Sequence, residues 1–232
     1  MTDSTRLVIS REVTIPCDDA FLEGEIKIPL QAKAIVLFAH GSGSSRFSPR
    51  NQKVAQMLRN AGLGTLLFDL LTKREEREEE FTGHMRFDIN LLGERLVSAT
   101  RWVSSQAYTR NLRIGYFGAS TGAAAALVAA AELPDAVKAV VSRGGRPDLA
   151  GKALGHVVAP TLLIVGGNDY VVIELNEQAY ARLACEKKLA VIPGATHLFE
   201  EPGTLEQVAD LAAAWFTSHL QAERAEAAAQ AG

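Results

Sequence analysis

Cysteine is scarce in this chain. Cys17 and Cys185 are the only two among 232 residues, far apart and without a CxxC or any other metal-ligand spacing. That excludes a disulfide-stapled fold and a thiolate metal site, and it points to reduced thiols in a cytoplasmic protein. Long hydrophobic runs are missing too. The longest uninterrupted one, Ala123–Ala131, is mostly alanine and far short of the roughly 20 residues that span a bilayer. Met1–Thr14 has no apolar core behind a positive start, so it does not read as a signal peptide. Charge of one sign is also absent. Lys and Arg number 24 against 27 Asp and Glu, a net charge of -3, which leaves no basic field for nucleic acid and no acidic tail. Neither a nucleic acid nor a membrane is expected as a partner.

What is present is a chain 47% hydrophobic, long enough for one large core and too short for two generous domains. No internal repeat or linker divides it. The expectation is one domain over residues 1–220 and an alanine-rich polar tail, 221–232, that frays. Two early segments, Leu7–Ile15 and Phe21–Ile28, alternate apolar with polar residues and read as an antiparallel hairpin at a sheet edge. Ala34–Ala39 (AIVLFA) is continuously apolar, as a strand covered on both faces must be. Thr65–Phe68, Leu112–Phe117, Val137–Val141, Thr161–Val165 and Leu189–Ile192 read the same way.

Helical patterns alternate with these strands, so parallel βαβ units are expected. Val54, Met57, Leu58 and Ala61 share one face, with Gly62 placed as a C-terminal cap. Ile89, Leu92, Leu96, Ala99 and Val103 follow Asp88, a plausible N-cap. A last amphipathic helix is expected over about Leu205–Leu220, its buried side carrying Val208, Leu211, Ala212, Trp215 and Phe216.

The strand Leu112–Phe117 runs into Gly118-Ala119-Ser120-Thr121-Gly122 and then into the helical stretch Ala123–Glu132. A bare G-x-S-x-G arises by chance in roughly one chain in ten of this length. The strand–turn–helix context gives it meaning. A sharp turn there lifts the central side chain clear of the sheet, and small residues on either side let strand and helix approach. A nucleophilic serine needs a base and a group to orient that base. Downstream, Thr161–Val165 is followed by Gly166-Gly167-Asn168-Asp169, and Leu189–Ile192 by Pro193-Gly194-Ala195-Thr196-His197. Asp169 and His197 then stand just beyond the carboxyl ends of successive strands, where open α/β sheets bind ligands. Taken singly, Asp169 equally fits a turn or helix-cap aspartate before Val171, and His197 an ordinary loop histidine. Their joint occurrence, in order, selects the triad Ser120, Asp169, His197.

For the oxyanion hole, the expected donors are the Thr121 N–H and the Ser42 N–H, the latter in the loop His40-Gly41-Ser42-Gly43-Ser44-Ser45. That loop lacks the third glycine of a dinucleotide fingerprint and the Lys-Ser/Thr ending of a P-loop. His40 reads as a structural hydrogen-bonding residue.

These motifs resemble the dienelactone hydrolase-like branch of the α/β-hydrolases. HGSGSS at His40–Ser45, DLL at Asp69–Leu71, GASTG at Gly118–Gly122, GGND at Gly166–Asp169 and GATH at Gly194–His197 carry the resemblance, which covers about Ile15 to Leu220. It implies an α/β-hydrolase fold with a mostly parallel eight-stranded sheet, helices on both faces and a minimal lid. It also implies a hydrolase without metal or cofactor, using the triad named above. Dienelactone hydrolases carry cysteine at the nucleophile position, where this chain has Ser120, so carboxylic-ester hydrolysis is a broader expectation than lactone cleavage alone.

The reading is therefore a serine esterase acting on small esters or lactones through an acyl-enzyme, with its oligomeric state left open. A non-catalytic scaffold of the same fold and an acyltransferase are the alternatives. Arg46, Arg50, Arg143 and Arg146 fall in loops at the rim. They either pair with Asp148 and the acidic run Lys73–Glu80, or one or two of them, Arg46, Arg143 or Arg146, bind a substrate anion. The run itself (KREEREEE) reads as a solvated charge cluster.

Overall fold

The computed structural model describes residues 7–18 and 20–221. Its strands are β1 (Leu7–Cys17), β2 (Ala20–Pro29), β3 (Ala34–Ala39), β4 (Gly64–Phe68), β5 (Arg113–Ala119), β6 (Val137–Arg143), β7 (Thr161–Gly166) and β8 (Lys187–Ile192). They form one eight-stranded sheet in the order β1-β2-β4-β3-β5-β6-β7-β8. β1 and β2 make the expected edge hairpin and β2 pairs antiparallel with β4; every pairing from β4 through β8 is parallel. This is the eight-stranded α/β-hydrolase architecture.

The continuous apolar strands are explained by cover on both faces. Along β3, Ile35, Leu37 and Ala39 enter one core while Ala34, Val36 and Phe38 enter the other. Helices α1 (Pro49–Asn60) and α6 (Thr204–Phe216) cover the second face through Val54, Leu58, Val208, Ala212 and Phe216. Helices α3 (Ile89–Ser105), α4 (Thr121–Glu132) and α5 (Tyr170–Arg182) cover the first. Asp88 caps α3 by accepting from the Leu91 N–H at 3.0 Å. Gly62 (φ +82°) closes α1 in a left-handed turn, with the Leu63 N–H bonded to the Leu58 carbonyl.

Two expectations need correction. β8 is an edge strand, so only Ile192 of it is buried, unlike the fully covered interior strands. The charge run is a helix, α2 (Lys73–Thr82), and part of it is not solvated. Glu79 is buried against Arg86, and Glu75 pairs with buried Arg95 at 2.6 Å. The segment expected to form the frayed tail, beyond Gln221, lies outside the described residues. Among the described residues no helix is long and apolar enough to cross a membrane.

Candidate active site

Ser120 sits at the end of β5 with φ 50° and ψ -122°, a region that side-chain-bearing residues rarely adopt. Such strain costs about 1–3 kcal/mol and persists only where the surroundings enforce it. Here they do. A Cβ on Gly118 would lie 2.4 Å from the Ala123 Cα, and one on Gly122 would lie 2.2 Å from the Ala39 carbonyl oxygen. Both glycines are therefore required for β5 to turn directly into α4. Although Ser120 stands at the N-cap position of α4, its side chain caps nothing. The hydroxyl is left at the surface of the site, at the positive end of the helix.

The second and third residues meet across two strand ends. The Gly167 N–H donates to the Ile192 carbonyl at 2.8 Å and the Asn168 N–H to the Ala195 carbonyl at 2.9 Å, tying the GGND and GATH loops together. Asp169 also occupies an N-cap position, that of α5, yet makes no capping bond. Its Oδ2 instead lies 2.7 Å from His197 Nδ1. That geometry sets aside the helix-cap reading of Asp169. Nδ1 is committed to the carboxylate, so Nε2 is the ring nitrogen left for chemistry.

His197 and Ser120 flank the same short stretch of chain. The Ser120 N–H reaches the Arg143 carbonyl at 3.3 Å, and a Cβ on the next residue, Gly144, would be 3.7 Å from His197 Cε1. No Ser120–His197 hydrogen bond is formed among the described residues. The histidine loop has a support that sequence reasoning missed. Glu201 accepts from the Thr196 hydroxyl at 2.6 Å and from its N–H at 3.1 Å, which holds the Glu201 carboxyl below its ordinary value.

Thr121 opens α4, where backbone N–H groups have no acceptor inside the helix. The Ser42 N–H is not free: it donates to Thr121 Oγ1 at 3.0 Å. This bond joins the HGSGSS loop to the turn between β5 and α4. His40, as expected, is structural. It is buried and kept neutral, with Nδ1 on the Gly41 carbonyl at 3.0 Å and Nε2 accepting from the Leu70 N–H at 3.0 Å. A cleft of about 650 Å³ begins at this loop and is walled by Ser42–Ser45, Arg50, Leu70, Leu71, Leu92 and the α2 carboxylates Glu76 and Glu79. Burial raises the Glu76 carboxyl above its usual range, with the nearby Asp69 charge adding to it.

The rim arginines divide. Arg46, proposed from sequence as a substrate ligand, is buried and pairs with Asp69 and, at 3.1 Å, with Glu23. Arg146, proposed likewise, spends its guanidinium on Asp148 at 2.8 and 2.9 Å. Both ion pairs follow the internal-pairing alternative for these residues. Arg50 reaches Glu200 at 2.9 Å. Arg143 is buried, and its Nε and Nη1 have no hydrogen-bond partner among the described residues.

Comparison with known proteins agrees with this architecture. In the structure of a dienelactone hydrolase from Anabaena variabilis, 58% identical, the match covers 91% of this chain and 98% of that one with a TM-score of 0.90. An α/β serine hydrolase without lid from Xanthomonas campestris shares the fold at 19% identity and a TM-score of 0.72, over 93% of this chain and 97% of that one. A Mycobacterium tuberculosis protein provisionally named a phosphoribosyl transferase is 58% identical over 209 residues. The match takes in 90% of this chain, which spans just under half, 46%, of that relative. Residues 19–230 match the Dienelactone hydrolase family, and with the β5–α4 turn, the strand order and the Asp169 and His197 loops arranged as described, the chain belongs to that hydrolase family.

Proposed function

We propose that this protein is a serine hydrolase that cleaves carboxylic esters or lactones of small molecules through an acyl-enzyme. The observation that carries the reading is the Asp169–His197 bond of 2.7 Å, formed at the same rim as a strained serine whose hydroxyl caps nothing. In this scheme His197 Nε2 takes the Ser120 proton as Oγ attacks the substrate carbonyl. Asp169 fixes the tautomer and stabilises the imidazolium. The oxyanion is received by the Thr121 N–H and by the Ser42 N–H, which exchanges Thr121 Oγ1 for the substrate oxygen as the threonine side chain rotates. The imidazolium then protonates the leaving alkoxide, and His197 activates a water that attacks the acyl-serine and releases the acid. No step calls for a metal or cofactor.

The name of the mycobacterial relative does not alter this reading, since more than half of that protein lies outside the match. Cys17 and Cys185 are free thiols, which supports a reducing compartment such as the cytoplasm. The test is a panel of small esters and lactones assayed with the wild type and with Ser120→Ala. Hydrolysis should fall by at least about 10⁴-fold in the variant, with the acid as product in water. Activity that survives Ser120→Ala would overturn the assignment, and transfer to an added alcohol in preference to water would convert it to an acyltransferase.

A further inference from the structure

Of the three proposed triad residues, only His197 is carried by a loop away from any helix start. Ser120 stands where β5 turns into α4, and Asp169 stands at the start of α5. His197 lies between β8 and α6, in residues 193–203. A reacting side chain must be held within about 0.5 Å of its productive place, so that loop has to be given one shape.

Its two ends are pinned to the fold. The Asn168 N–H and side-chain amide donate to the Ala195 and Gly194 carbonyls at 2.9 and 3.0 Å. Phe199 is buried and left-handed at φ 56°, a strain that persists only where the surroundings enforce it. Its ring packs against Gly144, where a Cβ would lie 3.2 Å from Phe199 Cε2. Thr196 and His197 stand between these anchors.

Glu201 spans that gap. Its Oε1 accepts from the Thr196 hydroxyl at 2.6 Å and its Oε2 from the Thr196 N–H at 3.1 Å. Both bonds end on the residue directly before His197. The hydroxyl bond is the main influence holding the Glu201 carboxyl below its ordinary value, so the acceptor stays ionised throughout the range in which histidine titrates. Glu201 is anchored in turn. Its carbonyl accepts from the N–H and hydroxyl of Thr204, the buried first residue of α6, at 3.1 and 2.7 Å. A continuous chain of bonds therefore runs from α6 through Glu201 and Thr196 to the backbone that carries the imidazole. Glu200, the adjacent acid, turns to Arg50 of α1 instead.

We propose that Glu201 is a positioning residue for the catalytic base: its two bonds to Thr196 set the direction in which His197 leaves the loop, and so place Nε2 for Ser120. This rests on the hydrolase reading above. Asp169 selects which ring nitrogen carries the proton, and Glu201 fixes where the ring stands.

The test uses the best-hydrolysed ester of the panel. Glu201→Ala should lower kcat by roughly tenfold or more, as expected when a reacting group is misplaced, with KM nearly unchanged and the protein folded by circular dichroism. Glu201→Gln, whose amide oxygen still accepts from Thr196, should recover most of that loss. Thr196→Val keeps the charge but lacks the hydroxyl, and should reproduce part of it. Combining Thr196→Val with Glu201→Ala should cost less than the product of the two separate losses, because the partners act as a unit. Labelling of Ser120 by a fluorophosphonate, which reads activation of the serine without deacylation, should slow in parallel with kcat. A Glu201→Ala protein with kcat within about twofold of wild type, a glutamine variant with no recovery, or losses that multiply independently would overturn the proposal. A wild type that hydrolyses nothing in the panel would overturn the hydrolase reading and this inference with it; an active wild type matched by Glu201→Ala would overturn this inference alone.

Discussion

Arg46 and Arg143 stand at the same rim of the sheet, both buried, in opposite surroundings. Arg46 donates through its backbone to Asp69 at 2.7 Å, pairs with the same carboxylate through its guanidinium and reaches Glu23 as well. Nearby, Glu75 and Glu79 of α2 are matched to Arg95 and Arg86. Around Arg46 most charges are matched, although Arg95 Nη1 has no hydrogen-bond partner among the described residues. Around Arg143 fewer groups are matched: the Ser120 hydroxyl caps nothing, and among the described residues His197 Nε2 makes no hydrogen bond and Arg143 Nε and Nη1 have no hydrogen-bond partner. Groups whose hydrogen bonds are satisfied internally hold the fold. Those left open at the Ser120–His197 rim stand where the proposed hydrolysis would place its substrate.

The contrast can be broken most severely on the open side. Asp169→Asn should leave the fold intact and reduce kcat about 10³- to 10⁴-fold, because the amide no longer selects the correct imidazole tautomer. Steady-state kinetics with circular dichroism as a fold control would check it; a loss of tenfold or less would mean that Asp169 only shapes the loop. On the completed side the effect should fall on stability instead. Arg46→Met leaves Asp69, itself buried, without its counter-ion and should cost about 3–5 kcal/mol in a urea titration. A loss below about 1 kcal/mol would show that the pair contributes no more than a surface ion pair.

The smallest effect concerns His40. Burial lowers its folded-state pKa below the ordinary histidine value, which is about 6.5 in an unfolded chain. The folded state therefore binds fewer protons than the unfolded one. The resulting stability is complete above about pH 6.5 and is lost as pH falls below it, by up to about 1.4 kcal/mol per pH unit. His40→Gln should remove that part of the acid slope between urea titrations at pH 7.5 and 5.5. An identical slope in both proteins would deny the buried neutral imidazole its role.

Much of this was legible in the sequence, for physical reasons that can be located. The two-sided strands announce themselves as unbroken apolar runs, and Gly118 and Gly122 announce a turn that no Cβ would permit. Asp169 is ambiguous in sequence because a cap and a triad acid look alike; in the structure it makes no capping bond and meets His197. Helix α2 is hidden in the sequence because eight consecutive charged residues give no apolar stripe. Its local signals were present all the same: Thr72 and Glu75 form a reciprocal capping box, and Gly83 closes the helix at φ +65°. The partners that bury Glu75 and Glu79, and the absence of one for Arg143 Nε and Nη1 among the described residues, are tertiary properties that no local pattern carries.

The central claim is that a serine on the elbow becomes nucleophilic through His197. Reaction with a fluorophosphonate, followed by peptide mass spectrometry, tests it most directly. The predicted result is one adduct, on Ser120, that is absent from Ser120→Ala and forms far more slowly in His197→Ala. An adduct on another residue, or labelling of Ser120 at the same rate without the imidazole, would contradict it.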